Sequence, residues 1–157
     1  MTQAEFEERI IGMQDVMYRV STTILRQLSD REDAVQSTIE KALCKRTKLR
    51  NDNAMQTWVI RILINECYAL HRSRKYEVLM EALPERETAS DADFDLYCLF
   101  TSLGEKHRLP MVLHYVEGYG IADISRILHL PQGTIKSRLH YGRNTLKEAL
   151  KSKEIDL

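Results

Sequence analysis

Apolar side chains recur every three or four positions along most of this chain, the period of one face of an α-helix. Phe6, Ile10, Met13, Met17, Val20, Ile24 and Leu28 form the first such face, and their spacing predicts one long helix. Ser29 and Asp30 then offer N-caps, and Asp30, Glu32 and Asp33 put three carboxylates where a helix dipole favours them. The helix predicted over residues 31–45 buries Ala34, Val35, Thr38, Ile39, Ala42 and Leu43, with Gln36, Glu40 and Lys41 opposite. A polar, basic break follows at 45–53. A longer helix over 54–75 turns Trp58, Ile62, Leu63, Cys67 and Leu70 inward and ends in the cationic group His71, Arg72, Arg74 and Lys75.

The pattern lapses over residues 77–95, which hold Pro84 and a run of small and acidic residues. Leu96, Leu99, Phe100 and Leu103 resume it, Gly104 breaks it, and a helix over about 106–117 ends at Gly118-Tyr119-Gly120. The expected fold is all-α, with no sheet and no repeat. Two small helical domains, 1–76 and 96–157, are joined by a flexible acidic linker at 77–95.

At 157 residues with 43% hydrophobic and 29% charged side chains, the chain can bury a core and is not compositionally disordered. Its 23 basic and 23 acidic residues cancel, which excludes a uniformly basic nucleic-acid binder and a polyacidic tail protein. The balance is nonetheless patterned: +3 over residues 1–76, −6 over 77–95 and +3 over 96–157. Cys44, Cys67 and Cys98 are odd in number and form no CxxC pair, as suits a reducing compartment. No secretory signal is expected at the N-terminus, and the apolar run 58–64 carries Arg61 and is too short to span a bilayer. A soluble, cytoplasmic protein without membrane insertion is the expectation.

The most informative stretch is 120–143. It divides into a short helix (121–128), a tight turn (129–132) and a longer helix (133–151), with Ile124, Ile127, Leu128, Leu130, Ile135 and Leu139 spaced to fill the crossing. That is helix-turn-helix patterning. Thr134 is placed to cap the second helix or to meet a phosphate. Lys136, Ser137, Arg138, His140, Tyr141 and Arg143 are left over from the crossing, a mixture that neutralises phosphates and reaches base edges.

The stretch resembles the fourth conserved region of sigma-70-family RNA polymerase sigma factors, in particular the extracytoplasmic-function (ECF) group. The resemblance is carried by Gly133-Thr134-Ile135-Lys136-Ser137-Arg138-Leu139, with Asp123-Ile124-Ser125 and Leu128-His129-Leu130-Pro131 ahead of it. Asp30-Arg31-Glu32-Asp33-Ala34-Val35-Gln36-Ser37-Thr38 and Thr57-Trp58-Val59-Ile60-Arg61-Ile62-Leu63-Ile64-Asn65 are similar to that family's second region. Two blocks in the right order cover nearly the whole chain. The resemblance implies a non-enzymatic factor that binds core RNA polymerase, recognises −35 and −10 promoter DNA and helps melt it. An anti-sigma factor is the further partner it implies.

By that resemblance, Thr134, Lys136, Ser137, Arg138, Tyr141 and Arg143 meet the −35 element. Lys48, Arg50, Asn51, Asn53, Arg61, Asn65, Arg72 and Arg74 meet and open the −10 element, the two asparagines facing a flipped base. Asp33, Gln36 and Glu40 face the polymerase. Trp58 reads more as core than as a base-stacking ring. Three departures from the family pattern stand out: Ser125 for a small apolar residue, His129 where glycine is common, and Tyr141-Gly142 for Arg-Ala, which is expected to loosen the recognition helix. No metal-ligand cluster, phosphate loop or nucleophile elbow is present, so no metal, cofactor or catalytic residue is expected. The rival reading is a two-domain helix-turn-helix regulator that binds DNA without polymerase.

Overall fold

The computed structural model describes residues 1–74, 100 and 103–155, with the side chains of 74 and 152–155 excluded. The acidic linker, Lys75, the Arg74 side chain, Leu96, Cys98 and Leu99 therefore lie outside the described residues. The chain divides into two compact units, Met1–Glu85 and Arg86–Leu157. Among the described residues there are helices and turns and no strand.

In the first unit the predicted opening helix is two helices, α1 (Gln3–Gly12) and α2 (Gln14–Thr22), broken at Met13. Met13 closes one helix and begins the next at φ −91° and ψ −1°. Phe6, Ile10, Met13, Met17, Val20 and Ile24 are all buried as spaced, so the core face runs straight through the break. Thr2 and Glu5 form a reciprocal capping box at the start of α1. Leu28 does not extend α2; it opens α3 (Leu28–Cys44).

That start corrects the capping expectation. The N-cap is Gln27, so Ser29 and Asp30 lie inside the first turn. The polar work is done by Arg31, which is buried and donates from Nε to the Leu25 carbonyl at 3.1 Å and from Nη2 to the Arg26 carbonyl at 2.7 Å. Two loop carbonyls with no helical partner are thereby satisfied. Ala34, Val35, Thr38 and Ala42 of α3 are buried, and the Thr38 hydroxyl donates a hydrogen bond back to the Ala34 carbonyl at 2.7 Å. Leu43 is not buried but 38% exposed, because it falls on the outer side of the last turn.

Two 3₁₀ turns, Arg46–Lys48 and Asp52–Ala54, lead to α4 (Met55–Arg74). Its core face is Met55, Val59, Ile60, Leu63, Ile64 and Cys67. Trp58, Ile62 and Leu70 are only half-buried, a rotation of the expected face, because α4 packs on both α2 and α3. Trp58 lies edge-on to Phe6, with centroids 6.2 Å apart.

In the second unit, Phe100 and Leu103 are buried and Gly104 begins α5 (Glu105–Met111). The helix expected to run to 117 changes character after Pro110. Val112–Val116 form a π turn, closed by the Glu117 amide on the Val112 carbonyl at 3.0 Å. Pro110 has no N–H to give the preceding turn, which weakens the α ladder just where the wider turn begins. Gly118, at φ 79°, ends the element in a conformation that favours glycine. Then come α6 (Ile121–Leu128) and α7 (Gln132–Ile155), which starts one residue earlier than the spacing suggests.

Candidate nucleic-acid interface

Helices α6 and α7 meet around Ile124, Ile127, Ile135 and Leu139, all buried, with Leu128 and Leu130 half-buried beside them. The turn between them is held by Ser125. Its Oγ donates to the Leu130 carbonyl at 2.5 Å, while its own carbonyl accepts from the Leu130 amide at 3.2 Å. A serine at the crossing is thus a clasp rather than a buried polar cost. His129 takes the left-handed conformation, φ 55° and ψ 45°, the one non-glycine with positive φ among the described residues.

The Ile135 amide bonds the Pro131 carbonyl, so Pro131 stands at the N-cap position of α7. Thr134 is two residues inside the helix, half-buried, and does not cap it. Lys136, Ser137, His140 and Asn144 share the solvent face of α7. His140 and Asn144 are joined, Nδ2 of Asn144 lying 3.2 Å from Nε2 of His140. Tyr141 is 58% exposed and stacks on His107. Burial, with the charges of Lys106 and Arg138, holds the His107 imidazole below its ordinary range, so the ring is neutral near pH 7. Arg138 and Arg143 are half-buried flanks. The Nε of Arg138 is buried, leaving contact to its terminal nitrogens.

In the first unit, Asp33, Gln36 and Glu40 all lie on the exposed side of α3, and Gln36 Nε2 donates to Glu40 Oε1 at 3.2 Å. Leu43 continues that strip. On α4, Arg61, Asn65 and Arg72 are exposed along one face, with half-buried Trp58 at its head. Lys48, Arg50, Asn51 and Asn53 are exposed in the turns before it. The Asn51 side chain is partly committed, its Oδ1 accepting from the Asn53 amide at 3.0 Å. Lys41 pairs with Glu66, tying α3 to α4 between these two faces.

The family description "Sigma-70 region 2" matches residues 12–76 and "Sigma-70, region 4" matches residues 93–146, in that order. Together they take in well over half of the chain. The chain belongs to the sigma-70 family. The ECF RNA polymerase sigma factor SigW of Bacillus subtilis (strain 168) is 24% identical to it, over 95% of this chain and 90% of its own length. The RNA polymerase sigma-E factor of Streptomyces coelicolor is 27% identical over 97% and 89%. The sigma factor RpoE from Bartonella quintana, solved in complex with the anti-sigma factor NepR, superposes with a TM-score of 0.77 at 26% identity, covering 94% of this chain and 97% of that one. CnrH, solved with the cytosolic domain of CnrY, shares the fold at a TM-score of 0.74 and 18% identity, over 96% and 90%.

This ECF sigma factor therefore acts in transcription initiation. Among its described residues no helix is long and apolar enough to cross a membrane. The solvent face of α7 also holds a residue that the sequence spacing offered and the expected set left out. Asn144 was not among the expected contacts, although Lys136, His140 and Asn144 step by four along one face. The expected looseness at Tyr141-Gly142 is absent. Gly142 is buried, and a Cβ there would lie 2.8 Å from Cγ and Sδ of Met111. Close approach of α5 to α7, not flexibility, accounts for the glycine.

Proposed function

We propose that the two units of this sigma factor divide promoter recognition between them. The second unit reads the −35 element through α7, with Lys136, Ser137, Arg143, Tyr141 and the terminal nitrogens of Arg138 as contacts, and Thr134 as a minor one. The first unit meets and opens the −10 element through Lys48, Arg50, Asn51, Asn53, Arg61, Asn65, Arg72 and Arg74. The strip Asp33, Gln36, Glu40 docks on core polymerase. The anti-sigma factor named beside RpoE supports a comparable protein regulator for this chain, and the role is regulatory rather than catalytic.

The observation that carries this reading is the solvent face of α7, where Lys136, Ser137, His140 and Asn144 project from the second helix of a helix-turn-helix. A cation supplies phosphate attraction, and the polar groups supply hydrogen-bonding edges. Run-off transcription with core polymerase on fragmented host DNA tests it. Wild type gives discrete start sites, and a Lys136→Ala, Arg143→Ala double variant weakens them. Specific DNA binding by the chain alone, with no start sites, would favour the stand-alone regulator.

A further inference from the structure

Three residues on one strip of the helix ahead of the helix-turn-helix hold three consecutive residues of α7. His107, Met111 and Tyr115 stand four apart, and they meet Tyr141, Gly142 and Arg143 in turn. The His107 ring stacks on Tyr141 with centroids 4.3 Å apart and planes at 29°. Met111 lies against Gly142, where no side chain fits without displacing it. The Tyr115 hydroxyl accepts from Arg143 Nη1 at 2.9 Å.

Two features make the grip possible. In an α-helix a four-residue step overshoots one turn, so a strip of such steps drifts around the axis. The π turn at Val112–Val116 rotates less per residue and so counters that drift, bringing Tyr115 back toward the strip begun by His107. Gly142 then lets the two helices approach closely enough for both flanks of α7 to be reached. Tyr141 and Arg143 are two steps apart, each about 100° around the helix, and so stand on opposite flanks.

We infer that His107 and Tyr115, neither of which lies in the helix-turn-helix, are positioning residues that set the rotation of α7 and so the base preference of this sigma factor at its −35 element. The inference rests on the −35 reading proposed above. Tyr115 takes one N–H of Arg143 and leaves the others in a fixed orientation. A guanidinium held this way presents a fork that fits the two acceptors of a guanine edge. Without the hydroxyl, the long side chain regains its rotamers, and selectivity falls before affinity does. His107 does the same for Tyr141, covering one face of its ring so that the phenol edge and hydroxyl point outward.

The test is holoenzyme transcription from a promoter set substituted at each −35 position, with thermal unfolding of every variant alongside. Wild type is expected to prefer guanine at one position by about tenfold. Tyr115→Phe, which keeps the ring, is expected to lower that preference to about threefold or less while lowering the melting midpoint by no more than a few degrees. Arg143→Ala removes the preference, and adding Tyr115→Phe to it changes nothing more. His107→Phe retains the wild-type profile, whereas His107→Ala alters it. A Tyr115→Phe profile parallel to wild type, an effect that persists without Arg143, or equal change in both His107 variants overturns the inference. A wild type indifferent to every −35 base overturns the −35 reading and the inference together.

Discussion

His129 carries a β-carbon through a left-handed turn where glycine would sit without steric cost. Its replacement by glycine is expected to stabilise the second unit by about 1 kcal/mol, read as a higher urea midpoint, with promoter preference unchanged. The cysteines give a second contrast. Burial, reinforced by Glu66, pushes the Cys67 thiol from an ordinary 9.0 to about 12, whereas Cys44 is exposed. Because the folded thiol holds its proton longer than the unfolded one, its contribution to stability is complete below pH 9 and is lost as pH rises toward 12. Iodoacetamide at pH 8, followed by peptide mapping, is expected to modify Cys44 well before Cys67. The burial of Cys67 was legible because it sits at helical spacing from Leu63. The role of Ser125 was not, since a small polar residue at a crossing gains its meaning from a carbonyl five residues on.

Periodicity located nearly every helix, yet it misjudged phase and continuity for physical reasons. Apolar steps run through Met13 without a gap, so the break between α1 and α2 leaves no mark in the pattern. The buried arc of α4 is wide because two helices press on it, which turned attention to Trp58 and Ile62 instead of Val59 and Ile60. The π turn was equally hidden: Pro110 signals weakness, not the geometry that follows. At Gly142 the sequence suggested slack and the structure shows a close crossing. Gly142→Ala would gain up to about 1 kcal/mol of helix propensity but lose about 1–3 kcal/mol to overpacking. Since the atoms it meets are the middle of the Met111 side chain, overpacking is expected to win. A lower unfolding midpoint for this variant, partly relieved by adding Met111→Ala, checks the balance.

Across the whole molecule, zero net charge leaves little long-range attraction for DNA, so binding depends on a few placed cations. For holoenzyme on a −35-bearing promoter, Lys136→Ala is expected to reduce the slope of log affinity against log salt by about 1, at every promoter tested. The order of the two blocks, and with it the family, was legible in the residues; the distances that tie α5 to α7 were not, because no spacing along the chain encodes them. That hidden tie bears on inheritance. A lineage could acquire a new regulon through substitutions at His107 or Tyr115 while every DNA-facing residue stayed the same. Conversely, residues 132–144 transplanted into another scaffold would arrive without the neighbours that give their message its meaning.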